Sequence, residues 1–186
     1  VSAGGVGATI GGGGNASGIN EVTDNYGTVA GGQENHAADL HSTVGGGWRN
    51  VANGERGTVA GGGENTASAQ AATVSGGTEN VASGFAATVA GGDQNLASGS
   101  RATVVGGEQN VASSTLSFAA GQRAKANHSG TFVWADNSFA DFASTAAQQF
   151  LIRAGGGVGV NKNNPATALD VNGTVTATAF VGDGSG

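Results

Sequence analysis

The sequence predicts an all-β repeat solenoid, built from 14–15-residue coils stacked in parallel. Three observations predict it. Thr-Val-x-Gly-Gly-x-x-Asn-x-Ala recurs six times at a fixed spacing of 15 residues, opening at Thr28, Thr43, Thr58, Thr73, Thr88 and Thr103. Each repeat holds a β-branched pair and a Gly-Gly pair, but no run of strong helix formers. Gly supplies 37 of 186 residues, far above the usual share of ~7%, and the period accounts for the excess without disorder. A period this short makes each repeat one coil of a stack, because helical-hairpin repeats need more than about 30 residues.

One repeat reads as two short strands joined by two turns. The first strand is Ala72-Thr73-Val74-Ser75 and its equivalents, with the β-branched pair that suits a pleated surface. The Gly-Gly pair turns the chain, since Gly takes positive φ without steric cost. The second strand is Asn80-Val81-Ala82-Ser83 and its equivalents, closed by Gly54, Gly84 and Gly99 in three repeats.

Coils in register lie ~4.7–4.9 Å apart, so about seven of them span roughly 35 Å. Identical residues then form ladders. Val29, Val44, Val59, Val74, Val89 and Val104 make one. Asn35, Asn50, Asn65, Asn80, Asn95 and Asn110 make another, whose side-chain amides can bond along the stack. Strand alternation turns Ala72 and Val74 to the core and Thr73 and Ser75 outward. In the second strand Asn and Ala face inward, and the residue between them faces out with Ser.

A core of Val and Ala is thin. Fully burying a Val contributes ~1.5–3 kcal/mol, whereas ordering backbone costs ~1–2 kcal/mol per residue. The outward series Val51, Val81, Leu96 and Val111 is apolar where water would otherwise meet it. These residues are expected at the contact between chains of a parallel homo-oligomer. The variable turn residues, such as Gln33-Glu34, Trp48-Arg49 and Asp93-Gln94, are expected on the outside.

Charged residues are only 11% and the net charge is −6, which argues against nucleic acid or an anionic membrane as partner. Cys is absent, so no disulfide staples the fold. No apolar run approaches the ~20 residues of a membrane span, and no membrane contact is expected in this segment. Met is absent too, and the chain is expected to be a fragment or a processed product.

Outside the six repeats the pattern loosens. Ala8-Thr9-Ile10-Gly11-Gly12 opens a first repeat in which Asn15-Ala16-Ser17-Gly18 comes early, followed by a long connection from Ile19 to Tyr26. At the far end Phe118-Ala119-Ala120-Gly121 and Phe132-Val133-Trp134 are 14 apart. Atypical end coils are expected where a stack must cap its core. Three regions follow: a β-roll head at 1–130, an irregular β trimerisation or neck region at 131–180, and a linker into a further domain at 181–186. Phe132, Trp134, Phe139, Phe142, Phe150 and Phe180 concentrate in the second, as if to form an aromatic core shared by three chains. Within it Phe150-Leu151-Ile152-Arg153 reads as a strand, and Asn172-Gly173 before Thr174-Val175 as a two-residue hairpin turn.

The Asn95-Leu96-Ala97-Ser98-Gly99 run and the Gly-closed Thr-Val strand resemble the head repeats of trimeric autotransporter adhesins, the YadA-like family. The stretch from Gly121 through Ala124 and Ala126 to Val133 follows the shorter, 14-residue form of that repeat. The resemblance covers about residues 8–134 and implies a left-handed parallel β-roll, a homotrimeric fibre and display outside the cell. A second resemblance covers Gln149 to Ala154, Gly157 to Val160, Ala168 to Val175 and the closing Gly-Asp-Gly-Ser-Gly. That stretch is similar to a segment of phage tail-fibre-like proteins, which leaves the owner open: a cell, a phage or a contractile injection particle.

No catalytic, cofactor or metal site is expected. His36 and His41 are five apart and differently oriented, and the Gly runs lack the Lys-Ser/Thr of a phosphate loop. The expected function is a trimeric extracellular fibre segment that presents a receptor- or glycan-binding surface. Trp48 and Arg49 are the best candidate contact, because an exposed Trp beside Arg favours binding; packing of Trp48 on the next chain is the alternative. A purely structural shaft and an ice- or surface-binding solenoid, the latter suggested by the Thr28 to Thr103 ladder, stand beside it.

Overall fold

The computed structural model describes residues 2–179 and 181. They form no helix, and the chain divides into two compact units, 1–153 and 154–186. The expected linker at 181–186 falls almost wholly outside the described residues.

The first unit is a parallel solenoid of two ten-stranded sheets. Each coil gives one short strand to each sheet, so strands adjacent in sequence lie in opposite sheets. One sheet runs from Thr9–Ile10 through Thr73–Val74 to Phe150–Arg153. The other runs from Ser2–Ala3 through Val81–Ala82 to Phe142–Ala143. Register is strict: Thr73 pairs with Thr58 and Thr88, and Ala82 with Ala67 and Ala97. A one-residue slip would turn every Val outward, which is why the period holds so tightly.

The core lies between the sheets. Val29, Val44, Val59, Val74, Val89 and Val104 are fully buried from one side, and Ala37, Ala52, Ala67, Ala82, Ala97 and Ala112 from the other. Beside the Ala rank stand the buried Asn side chains. The Nδ2 of Asn80 donates to the carbonyls of Gly76 and Gly92 at 3.1 and 2.8 Å, and the latter belongs to the next coil. Each Asn thus stitches its own turn to its neighbour's and satisfies polar groups that burial would otherwise penalise.

The two-strand reading of the coil is incomplete. After Gly-Gly the chain passes through one further extended residue, and Gln33, Trp48, Gly63, Thr78, Asp93 and Glu108 bridge one to the next in parallel. This third rank holds one residue per coil, too short to carry the alternation by which strands are read. From Thr103–Glu108 onward it merges with the Thr-Val strand, across a register shift between Val104 and Gly107. The second Gly of the pair is what permits the turn. Gly77 has φ +87, and a Cβ there would stand 2.1 Å from the carbonyl oxygen of Gly92.

The first coil departs from expectation. Asn20, not Asn15, joins the Asn ladder, and Glu21–Val22 is the strand that pairs with His36–Ala37. Asn15 and Gly18 instead exchange backbone hydrogen bonds across a tight loop. The extra residues therefore lie before the second strand rather than after it. Spacing decides the matter: Asn20 is one full period before Asn35, and Val22 supplies the buried side chain that Ala provides elsewhere.

At the other end the motif fades but the stacking persists. Phe118–Gln122, Phe132–Ala135 and Phe150–Arg153 continue the Thr-Val sheet in register. Their Phe side chains replace Thr in the outward column and stack, with centroids 4.6 and 4.5 Å apart. Arg153 holds the widened connection before Phe142 by donating to Asp136 Oδ1 and to the carbonyls of Ser138 and Ala140.

In the second unit Val158–Val160 pairs in parallel with Leu169–Val171. Asp170 accepts from Lys162 Nζ and from the Ala166 N–H, both at 2.7 Å. The hairpin expected at Asn172-Gly173 does not form, and Thr174-Val175 is not a strand. A two-stranded hairpin with no apolar surface beneath it is marginal in water, and none of this unit's described residues is buried.

Candidate binding surface

Two outer faces and two corners alternate around the first unit. The outer face of the Thr-Val sheet carries Thr9, Thr28, Thr43, Thr58, Thr73, Thr88 and Thr103, then Phe118, Phe132 and Phe150. Two residues further along each strand, on the same side, lie Gly11, Ala30, Gly45, Ala60, Ser75, Ala90, Val105, Ala120, Trp134 and Ile152. No charge occurs at any of these positions. The outer face of the opposite sheet is mixed: Val51, Thr66, Val81, Leu96 and Val111 are half-buried there, but Glu21, His36 and Lys125 share their column.

Both corners carry charged residues. The first holds the third rank and, beside it, the column Glu34, Arg49, Glu64, Glu79, Gln94, Gln109 and Arg123, every member at positive φ. Trp48 sits here 44% exposed. Its ring edge runs along the column to the next coil, 3.8 Å from where a Cβ on Gly63 would stand. The Arg49 guanidinium lies over the indole, 4.8 Å from its centroid. Arg49 also donates to Glu34 Oε2 in its neighbouring coil and reaches Glu64 Oε1 at 3.5 Å in the other. The hydrogen bond to Glu34, reinforced by its charge, holds the Arg49 guanidinium even more firmly protonated than usual. Trp48 and Arg49 thus form one preset unit at the surface.

The second corner carries Tyr26 stacked on His41, with centroids 5.0 Å apart, and Arg101 over Phe85 at 5.5 Å. His36 lies on the opposite sheet's outer face, 3.7 Å from Glu21. The two histidines are therefore apart, and no group of three or more His, Cys, Asp or Glu side chains among the described residues could hold a metal ion.

Sequence reading did not find the uncharged face, because its second column varies among Gly, Ala, Ser and Val and looks unpatterned. The absence of charge at every fifteenth position, counted from Ala30, was the available signal.

Residues 87–99 match the family described as the ubiquitous surface protein adhesin repeat. The matched stretch is nearly one coil, from the buried Ala87 through Thr88–Val89, the Gly-Gly turn and Asn95 to Leu96–Ala97 and Gly99. The resemblance of the array to the head repeats of trimeric autotransporter adhesins rests on these same elements. The match lies wholly inside the array and does not touch the tail-fibre-like segment. The chain matches no curated protein.

Proposed function

We propose that this array, whose repeat resembles that of a trimeric autotransporter adhesin head, is a segment of a homotrimeric extracellular fibre. Three chains pack in parallel with their Thr-Val faces toward one another, and the Trp48–Arg49 corner faces outward to meet a receptor. The absence of charge along the whole Thr-Val face is the observation that carries this reading. A solvated face of a chain with net charge −6 has no reason to exclude every acid and base, whereas the core of a chain–chain contact does. The Phe118, Phe132 and Phe150 ladder gives that contact a large apolar anchor at one end. Val51, Val81, Leu96 and Val111, with charged residues in their column, suit the outward side better.

Attachment of protein-coated beads to cultured cells tests the adhesive part. Replacing Trp48 by Ala should lower attachment about tenfold or more, the usual cost of losing a central Trp. Attachment that does not depend on Trp48 or Arg49 favours a second reading, a structural shaft. The Arg49 contacts with Glu34 and Glu64 give that reading its support, since they also serve to hold neighbouring coils together. The ice-binding alternative is weaker. The Thr column stands beside a column of Gly, Ala and Ser rather than a second column of Thr.

A further inference from the structure

The loop inserted in the first coil makes a site that no other coil repeats. Gly13 to Ile19 leaves the solenoid and returns at Asn20, tied down on both sides. Gly14 N donates to Gly32 O at 2.6 Å, Asn15 and Gly18 exchange two backbone hydrogen bonds, and the Asn15 carboxamide oxygen accepts from both N and Oγ of Ser17. Gly18 is buried against Gln33 and Glu34, where a Cβ would stand 2.6 Å from either side chain. The loop is therefore preset before any ligand arrives, which spares the ordering cost of binding.

Between this loop and the next two coils lies an open groove of about 450 Å³. Ile19 and Val51 supply apolar walls, and Glu21, Glu34, His36 and Arg49 supply polar ones. Ile19 is 48% exposed, a large aliphatic side chain left facing water at the groove. The exposed Trp48 indole lies under the guanidinium of Arg49, which lines the groove.

The lining selects a ligand chemistry. Two carboxylates against one guanidinium disfavour an anion. A wholly apolar ligand would strip water from the Glu21 and Glu34 carboxylates and the Arg49 guanidinium and return no hydrogen bond to them. A neutral polyol ring meets every demand: its hydroxyls donate to Glu21 and Glu34 and accept from Arg49, and its C–H face packs on Ile19 and Val51. The volume falls in the lower part of the ~300–1,000 Å³ range of small-ligand sites, which suits the end of a chain rather than a long segment. We infer that the groove between the Gly13 to Ile19 loop and the Glu34 to Val51 coil binds a neutral saccharide residue. The inference rests on the outward placement of this side proposed above, and it names the ligand class that the corner recognises.

The test uses the full chain labelled with ¹⁵N and titrated with methyl glycosides of glucose, galactose and mannose and with N-acetylglucosamine, at millimolar concentration. At least one sugar should give saturable amide shifts confined to residues 17–21, 34–36 and 49–51. Arg49→Ala and the isosteric Glu21→Gln should each weaken it tenfold or more, while Ser100→Ala at the opposite corner leaves it unchanged. Absence of saturable shifts with all four sugars overturns the inference, as do shifts that survive both variants. Failure of the sugars while Trp48→Ala still abolishes cell attachment points to a protein receptor, leaving the adhesive reading intact. Sugar binding without any effect of Trp48→Ala on attachment separates the two in the opposite sense.

Discussion

Asn65 Oδ1 accepts two hydrogen bonds from Asn80, one from its main-chain N–H at 3.0 Å and one from its side-chain amide at 3.1 Å. The same pair recurs from Asn20 and Asn35 to Asn95 and Asn110, and Asn110 ends the series by accepting from the Ala124 N–H. No shorter or apolar side chain combines a carbonyl acceptor with two N–H donors as this buried amide does. Asn80→Ala leaves the Asn95 N–H without its acceptor, inside a core with no route to water. An unsatisfied buried donor costs about 1–3 kcal/mol, so Asn80→Ala should lower the unfolding free energy by about 2 kcal/mol in a denaturant titration. Asn80→Asp should be worse, since it sets a carboxylate against Asn65 Oδ1 and the carbonyls of Gly76 and Gly92.

Backbone conformation at the turns predicts effects of opposite sign. Ala86 stands at φ 51 with no hydrogen bond from its side chain to recover the cost. An L-residue there costs about 1–2 kcal/mol, and the greater freedom of unfolded Gly returns about half of that. Ala86→Gly should therefore stabilise the fold by roughly 0.5–1 kcal/mol. Gly77→Ala should be among the most damaging single changes in the array, because its Cβ collides with the backbone of the next coil. Thermal melts of the two variants moving in the same direction would contradict this account.

The Phe ladder predicts a split between folding and assembly. Phe132 stacks on both Phe118 and Phe150, and each aromatic pair contributes about 0.5–1.5 kcal/mol beyond the area it buries. Phe132→Ala should lower the melting temperature and raise the dissociation constant of the assembly. Thr73→Lys, on the same face but outside the ladder, should leave the circular dichroism of the coils intact and raise the dissociation constant of the assembly at least tenfold.

One ionisable group gives a signed pH prediction. The Ala166 N–H, and after it the Lys162 ammonium, hold the Asp170 carboxyl below its ordinary range. A folded pKa depressed in this way contributes stability that is present above the unfolded value and lost as pH falls through the folded one. The Lys162–Asp170 link should thus outlast an ordinary Asp on acidification. The Asp170 carboxyl carbon shift, followed by NMR, should give a midpoint below the usual Asp value; one at or above it contradicts the assignment.

Period and side-chain type made most of the array legible. The Val and Asn columns could be placed because alternation and a fixed spacing leave one register that buries Val74 and Ala82 together. Asn20 was hidden because Asn15-Ala-Ser-Gly imitates the repeat locally, and only its spacing from Asn35 separates the imitation from the ladder. The third rank was hidden because one residue per coil, as varied as Trp48, Gly63 and Asp93, has no pattern of its own. Asn172-Gly173 misled in another way: a turn signal forms a hairpin only where its strands have something to cover. The candidate site was half legible. Trp48 and Arg49 are adjacent in sequence, but Ile19 and Glu21 reach them only through the stacking of coils.

Solution mass tests the central claim, that three chains meet through an uncharged Thr-Val face. Light scattering on a sizing column should give three times 17.7 kDa, unchanged over a hundredfold dilution. Thr73→Lys should shift the mass toward a single chain. A wild-type chain that runs as a folded monomer contradicts the account, and so does a trimer indifferent to Thr73→Lys.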